Sequence, residues 1–245
     1  MESYHEATYG ERIAGIYDDW YAGYDSASIE ALKDLAQGGR ALELGIGTGR
    51  IALPLQQAGL EVHGIDASEA MVAKLRAKPG GDRIPVALGN FADVAVEGQF
   101  NLVYVLFNTF FALLTQDEQV RCFLNVARHL GPQGVFLIEA FVPDLARFTA
   151  HQALRTNKVS EDEVQIDASQ HDPLTQQVTS QHLVITEQGT RLYPVKIRYA
   201  WPAELDLMAR LAGLRLRHRW GDWQRTAFTA DSGKHISVFD LQPQA

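Results

Sequence analysis

Three glycines at alternate positions, Gly45, Gly47 and Gly49, directly follow a short apolar run in this chain. The run ends at Leu44 and predicts a buried strand, whereas residues 51–55 carry apolar side chains at helical spacing. Glycines between a strand and a helix let the backbone turn tightly and lie close to a bound molecule. Nucleotides bind to α/β sheets at such junctions, beside the N-terminus of the helix. The stretch therefore predicts the first unit of a nucleotide-binding α/β sheet.

The spacing of the glycines separates two classes of cofactor. A dinucleotide fingerprint, G-x-G-x-x-G, would require glycine at position 50, where the chain has Arg50. Instead, Glu43 stands two residues before the first glycine, which gives E-x-G-x-G-x-G. This pattern resembles the first motif of class I S-adenosylmethionine-dependent methyltransferases, in which the turn passes the amino-acid end of S-adenosyl-L-methionine. The resemblance implies cofactor contacts from Glu43, Gly45, Gly47, Thr48 and Gly49.

A second strand is predicted over residues 60–66, and it ends in Asp66, about twenty residues beyond the glycine turn. A carboxylate at this place can accept hydrogen bonds from both ribose hydroxyls of a nucleoside. Alternatively, Asp66 belongs to the cap of the helix that begins near Ser68. The resemblance adds Ala67 and Met71 to the expected cofactor contacts.

The third and fourth predicted strands, residues 84–88 and 100–107, also end in candidate cofactor contacts. In the methyltransferases, a polar side chain after the third strand contacts the adenine amino group and an apolar one packs on the ring. Asn90 and Phe91 match this pair, although a plain polar turn would look similar, and Leu106 is expected at the cofactor as well. Enzymes that methylate nucleobase amines carry two prolines after the fourth strand. Neither is present after Asn108, so methylation of DNA or RNA bases is not expected.

Methyl transfer is a direct displacement that requires alignment, exclusion of water and, for some acceptors, removal of a proton. This chemistry predicts a strong cofactor signature and a weak catalytic one. Tyr17 is expected as a lid residue at the cofactor and acceptor, and Asn108 as a contact at the end of the fourth strand. The candidates for a proton acceptor are Tyr9, Tyr17, Tyr21, His182, His235 and Glu139.

The elements that position these residues resemble a Rossmann-like α/β fold. We expect a seven-stranded, mostly parallel sheet with helices on both faces, formed by residues 40–140 and 201–245, with an antiparallel last strand. Residues 1–39 carry aromatic side chains at helical intervals, which predicts an amphipathic helix that packs on the core or a helical lid over the sulfonium cation. Residues 141–200 read as three strands of a small antiparallel β insertion after the fifth strand, which caps the cleft or forms a homodimer surface.

Composition narrows the class of protein further. The 245-residue chain is 46% hydrophobic and 21% charged, with a net charge of −8 spread without long blocks, which disfavours nucleic-acid binding. No stretch approaches the length of a membrane span and no leader-like segment opens the chain, so a cytoplasmic enzyme without a membrane partner is expected. A single cysteine, Cys122, excludes a cysteine-rich zinc site, and no metal is expected.

The sequence thus predicts an enzyme that moves a methyl group from S-adenosyl-L-methionine to a nitrogen or oxygen nucleophile of a small molecule, leaving S-adenosyl-L-homocysteine. The overall arrangement resembles small-molecule N-methyltransferases, either the amino-sugar N,N-dimethyltransferases or the glycine and sarcosine N-methyltransferases. Two alternatives stay open. One is a regulatory protein that binds S-adenosylmethionine without catalysis, and the other is an NAD-dependent oxidoreductase, which Arg50 disfavours.

Overall fold

The computed structural model describes residues 4–242. The first three residues of the predicted lid segment and the last three of the predicted core therefore lie outside the described residues. In chain order the strands are β1 (Ala41–Leu44), β2 (Val62–Asp66), β3 (Val86–Leu88), β4 (Phe100–Val105), β5 (Leu130–Phe141), β6 (Gln152–Val159), β7 (Glu163–Asp172), β8 (Gln177–Thr186), β9 (Gly189–Arg198), β10 (Leu214–Trp220) and β11 (Lys234–Leu241). The α-helices are α1 (Thr8–Ile13), α2 (Tyr17–Trp20), α3 (Ser26–Ala36), α4 (Ala52–Gln57), α5 (Glu69–Arg76), α6 (Gln116–His129) and α7 (Pro202–Leu211).

The larger sheet has seven strands in the order β10-β11-β5-β4-β1-β2-β3. β1 pairs in parallel with β2 and β4, and the parallel pairing continues to β3 on one side and β5 on the other. β11 lies between β5 and β10 and runs antiparallel to both. The prediction of a mostly parallel seven-stranded sheet with an antiparallel last strand is confirmed.

Helices cover both faces of this sheet because its parallel strands are apolar on both sides. One hydrophobic core cluster brings Phe123 of α6 and Leu205 of α7 onto the sheet. A second cluster contains Leu32 of α3 and Leu55 of α4. The predicted layers, with helices on both faces, are therefore confirmed.

The smaller sheet is antiparallel throughout and has the order β6-β7-β8-β9. The prediction of three strands between residues 141 and 200 is wrong in number, since β6 makes a fourth. β6 lies at the edge and nearly all of its side chains are exposed, so its sequence shows no buried alternation that would predict a strand. Strands β7, β8 and β9 correspond to the three that the sequence predicts.

The segment before α3 folds as two short helices rather than the single amphipathic helix that its aromatic spacing suggested. We call residues 8–21 the roof segment. Its buried Ile13 and Ala14 pack in one cluster with Met71 of α5 and Tyr193 of β9. The roof segment therefore joins the helix that follows β2 to the antiparallel sheet.

The described residues contain neither a candidate membrane span nor a candidate metal site. No helix between residues 4 and 242 is long and apolar enough to cross a membrane. In the same range, no group of three or more histidine, cysteine, aspartate or glutamate side chains is arranged to hold a metal ion.

Candidate active site

Glycine is required at the three positions of the turn after β1 for different physical reasons. All have positive φ angles, +73° at Gly45, +55° at Gly47 and +78° at Gly49, which glycine adopts without strain. A Cβ on Gly45 would lie 2.4 Å from Thr109, and one on Gly49 would lie 2.3 Å from Leu75. A Cβ on Gly47 would meet no atom within 4 Å. The outer glycines are thus required by packing, whereas Gly47 faces open space at the end of β1.

Asp66, at the end of β2, points toward this turn. Gly47 N–H donates a hydrogen bond to Asp66 Oδ2 at 2.7 Å, and Ser68 N–H donates one to Oδ1 at 2.9 Å. Burial raises the pKa of Asp66, and these two hydrogen bonds oppose the rise. Ser68 in turn caps α5, because its Oγ accepts from Met71 N–H. Asp66 therefore connects the glycine turn to the cap, and each carboxylate oxygen keeps a lone pair for a ligand hydroxyl.

Glu43 places a buried carboxyl within β1, two residues before the turn. Its side chain accepts a hydrogen bond from the Tyr104 hydroxyl at 3.0 Å. Burial raises the pKa of Glu43 to about 8, although the Tyr104 hydrogen bond and the Arg50 charge act in the opposite direction. A cationic ligand group placed nearby would favour the ionised carboxylate. Together, the buried acid and the open space at Gly47 fit the α-ammonium group at the amino-acid end of S-adenosylmethionine.

Asn90 and Phe91 follow β3 beside the same turn. Asn90 Oδ1 accepts a hydrogen bond from Ala92 N–H at 2.9 Å, which holds the side-chain amide in place. Phe91 is buried, and its ring edge would be 3.9 Å from a Cβ on Gly45. The apolar ring is therefore next to the glycine turn, as its predicted role at the adenine requires, and that role stays a prediction.

The roof segment is attached directly to the glycine turn, a contact that sequence reasoning missed. Thr48 Oγ1 donates a hydrogen bond to Asp18 Oδ1 at 2.6 Å. The other oxygen of Asp18 is 2.8 Å from Lys78 Nζ, and Lys78 also donates to the Thr48 carbonyl at 2.8 Å. Glu11 of α1 accepts a further hydrogen bond from the Ser68 hydroxyl at 2.7 Å. The roof segment thus covers Thr48 and Met71, two of the residues predicted to contact the cofactor, and Met71 is buried beneath it.

Aromatic rings of the roof segment reach the end of β4. The rings of Tyr17 and Tyr21 are 4.9 Å apart, and Tyr21 is 5.3 Å from the ring of Phe107. The Arg50 guanidinium lies over the ring of Phe107, 4.5 Å from the ring centre. Burial raises the pKa of Tyr17 to about 12, against the lowering effect of the Arg50 charge. Tyr17 is therefore neutral near pH 7 and suited to donate a hydrogen bond rather than to accept a proton.

The backbone leaves β4 through two residues in the left-handed region. Phe107 and Asn108 have φ angles of +56° and +66°, which is uncommon for residues other than glycine. Asn108 Oδ1 accepts a hydrogen bond from Phe141 N–H at 2.7 Å, so the side-chain oxygen joins the ends of β4 and β5. Leu106, just before this pair, is buried. Asn108 thus has a structural role, and its expected contact with a ligand remains a prediction.

Two of the candidate proton acceptors are occupied by structural hydrogen bonds. Glu139 of β5 accepts from Trp223 Nε1 at 3.0 Å and from Lys234 Nζ at 3.1 Å, and its other oxygen accepts from a backbone N–H. His235 of β11 is fully buried and shares a hydrogen bond with Ser237 Oγ. Burial lowers the pKa of His235 to about 4. Glu139 is thus held by three hydrogen bonds, and burial keeps His235 away from a molecule in the cleft.

Beside the contact of the roof segment with the antiparallel sheet, residues of both line a cavity of about 710 Å³. Asp19, Trp20 and Tyr21 line it from the roof segment. Asp167 of β7 and His182 of β8 line it from the sheet, and these two side chains contact each other. The volume suits a small organic molecule. Tyr21, which lines the cavity, also contacts Phe107 directly after β4.

The fold, the glycine turn and the buried acids at the ends of β1 and β2 define a Rossmann-like protein that binds a nucleoside cofactor. A family described as a methyltransferase domain matches residues 41–134. The structure of the CcbJ methyltransferase from Streptomyces caelestis is 41% identical in sequence, with a TM-score of 0.90, and the match covers 98% of this chain and 100% of that chain. The chain belongs to the class I S-adenosylmethionine-dependent methyltransferases, as the sequence motif predicted, and S-adenosylmethionine is its cofactor.

Two other proteins extend this comparison. The cypemycin N-terminal methyltransferase from a Streptomyces species is 29% identical over 206 residues, which is 84% of each chain. The S-adenosylmethionine-bound amino pentose methyltransferase CalS10 from Micromonospora echinaspora is 20% identical, has a TM-score of 0.68 and covers 97% of this chain and 99% of its own. The second likeness shows a shared fold. Membership of the methyltransferases removes the oxidoreductase alternative.

Proposed function

We propose that this methyltransferase acts on the amine nitrogen of a small molecule that binds in the cavity between the roof segment and the antiparallel sheet. The carboxylates of Asp19, Glu163 and Asp167 line that cavity together with the aromatic rings of Trp20 and Tyr21. Lys158 is the one lysine or arginine among the described lining residues, and it is paired with Glu163 at 3.1 Å. An amine that is cationic at neutral pH is attracted both by uncompensated carboxylates and by aromatic faces. The acidic and aromatic lining is the observation that carries the proposal.

The methyl donor is expected at the carboxyl ends of β1 and β2. In this proposal Glu43 faces its amino-acid end, Gly47 leaves room for it, Asp66 accepts from its ribose hydroxyls, and Asn90 and Phe91 hold the adenine. S-adenosylmethionine supplies an electrophilic methyl group on a sulfonium that is already an activated leaving group. The chain's own residues then have to orient the acceptor and exclude water. The remaining expected cofactor contacts, proposed from the family resemblance, are Tyr17, Gly45, Thr48, Gly49, Ala67, Met71 and Leu106.

The three predicted segments take distinct roles in this proposal. Residues 40–140 and 201–245 bind the methyl donor, and residues 1–39 cover it. We assign residues 141–200 to capping the acceptor cavity, because Tyr193 of β9 packs against Trp20 with ring centres 5.2 Å apart. One face of the antiparallel sheet is thereby turned toward the roof segment. The cap role is favoured over a homodimer role for that face.

The proposal is tested by offering amines and hydroxyl compounds in matched pairs. Purified protein and S-adenosylmethionine are incubated with glucosamine, a tripeptide with a free N-terminus, their N-acetylated forms, and catechol. We expect S-adenosylhomocysteine formation and a mass gain of one methylene with at least one free amine, and no product with its acetylated partner. Methylation of catechol without methylation of either amine would contradict the assignment of a nitrogen acceptor. The similarity to an N-terminal methyltransferase supports including the peptide.

A further inference from the structure

His182 and Asp167 form a side-chain pair on the cavity side of the antiparallel sheet. They stand directly opposite each other in the register of β7 and β8, so their side chains lie on the same face. His182 Nδ1 contacts Asp167 Oδ1, and each side chain is 24% exposed. When one ring nitrogen of a neutral histidine donates to a carboxylate, the other nitrogen carries the lone pair and can accept a proton. The pair therefore holds the imidazole in the tautomer that a proton acceptor requires.

The surroundings of His182 distinguish it from the other histidines of residues 4–242. His63 also contacts a carboxylate, but it lies between Arg40 and Glu61 at the amino end of β2. His171 shares a hydrogen bond with Tyr199, and His235 is buried in the large sheet. Within the described part of the chain, His182 is the histidine that both contacts a carboxylate and lines the cavity beneath the roof segment.

A series of ring contacts leads from this pair to the end of the sheet where the methyl donor is expected. The ring of Trp20 is 6.4 Å from the ring of His182 and also 6.4 Å from the ring of Tyr21. Tyr21 in turn contacts Phe107, directly after β4. An acceptor seated against these rings would have His182 on one side and the carboxyl end of β4 on the other.

We propose that His182, oriented by Asp167, accepts the proton that the acceptor amine must lose before methyl transfer. This inference rests on the proposed function. The N–H bond of the ammonium breaks and the proton moves to Nε2 of His182, which leaves the lone pair on the nitrogen. That lone pair forms the bond to the methyl carbon as the carbon–sulfur bond breaks, and the sulfur keeps the electron pair in S-adenosylhomocysteine. His182 then releases its proton to water, and the Asp167 carboxylate stabilises the imidazolium in the interval.

Several charged or titratable side chains face His182 from the elements packed around it. They are Asp167 and Glu163 on β7, Arg155 and Lys158 on β6, Tyr193 on β9, and Asp19 and Tyr21 of the roof segment. All of these groups are present in both the wild type and His182→Gln, so a difference between the two pH profiles reports on the imidazole itself.

The test compares His182→Gln and Asp167→Asn with the wild type, using whichever of glucosamine and the free tripeptide the wild type methylates. His218→Gln is the matched control, because His218 lies on β10 and stacks on Trp220. We expect His182→Gln to lower kcat/KM at pH 7 by about 100-fold, in the range found for positioned proton acceptors. Its affinity for S-adenosylmethionine, measured by calorimetry, should equal that of the wild type. The deficit should shrink as the pH approaches the pKa of the amine, since a free amine needs no proton acceptor.

Asp167→Asn provides an independent readout. Nitrogen NMR of the His182 ring, assigned by its loss in His182→Gln, should show the proton held on Nδ1 in the wild type and a larger fraction of the other tautomer in Asp167→Asn. A pH-independent loss of activity in His182→Gln would show that the ring only shapes the cavity, and wild-type activity at pH 7 would overturn the inference directly. In both cases amine methylation by the wild type would stand. If the wild type methylates neither amine, the proposed function fails and this inference fails with it.

Discussion

Replacement of Glu43 by glutamine should relieve a pH-dependent destabilisation of the ligand-free protein. Burial raises the pKa of Glu43 from 4.5 to about 8, so the folded state keeps a proton that the unfolded chain loses. The unfolded state therefore binds fewer protons across this window, and the free energy of unfolding falls as the pH rises from 4.5 to 8. The slope is about 1.4 kcal/mol per pH unit, and the full effect is about 5 kcal/mol above pH 8. At pH 7 the loss is about 3 kcal/mol by the same relation.

Urea unfolding of the wild type and Glu43→Gln between pH 5 and 9 measures this difference. Glutamine has the same shape and its side-chain carbonyl can still accept from the Tyr104 hydroxyl. The variant should be more stable by about 1 kcal/mol at pH 5 and by about 3 kcal/mol at pH 7. A surface control, Glu97→Gln, should follow the wild type, since Glu97 is exposed. Parallel curves for the wild type and Glu43→Gln would refute the assignment of a raised pKa.

Binding of S-adenosylmethionine should also depend on the protonation of Glu43. If its cationic groups lie near Glu43, as we propose, binding favours the ionised carboxylate and must release a proton near pH 7. Calorimetry in two buffers of different ionisation enthalpy should show proton release for the wild type and markedly less for Glu43→Gln. The variant should also bind the cofactor more weakly at pH 8 than the wild type does. Equal proton release in both proteins would show that Glu43 does not lie near the bound cofactor, which would contradict the proposed site.

Three further substitutions test the site from other directions. Asp66→Ala should weaken S-adenosylmethionine binding by about 2 kcal/mol through loss of charge-assisted hydrogen bonds, and unchanged affinity in calorimetry would leave Asp66 with its capping role alone. Gly47→Val should abolish binding, because φ is +55° there and the side chain would enter the open space; normal binding by a folded variant would contradict this placement. Asp18→Asn removes the ion pair with Lys78 and weakens the contact with Thr48, so hydrogen exchange over residues 8–21 should accelerate. Stability should change by less than about 1 kcal/mol because the pair is partly exposed, and unaltered exchange would show that the roof segment is held elsewhere.

Most of the large sheet could be predicted because buried parallel strands carry their signal locally. β1 and β4 are apolar runs that end at turn residues, and the antiparallel position of β11 followed from the resemblance to the methyltransferases. β6 was missed for the opposite reason, since an exposed edge strand needs no apolar face. The roof segment was predicted as one helix because aromatic spacing does not reveal a break. Its two helices are fixed by contacts with α5 and β9, which are distant in sequence.

The side chains at the strand ends show a second limit of sequence reasoning. Asn108 and Glu139 were expected in the cleft because ligands gather at the carboxyl ends of parallel strands. The structure engages both in hydrogen bonds between neighbouring strands and loops. Position on a strand predicts where a residue lies, but it does not predict which neighbours take up its hydrogen bonds.

The sequence by itself determined the kind of cofactor. The motif consists of Glu43, the alternating glycines and Asp66. These residues lie in one contiguous stretch of the sequence, where the local strand and turn pattern places them. Only the tertiary structure decided what covers the cofactor and where an acceptor would bind. Asp18 meets Thr48 across 30 residues of chain, and Trp20 meets His182 only because the roof segment packs on the antiparallel sheet. Such contacts depend on how separate elements dock, which no local pattern of residues specifies.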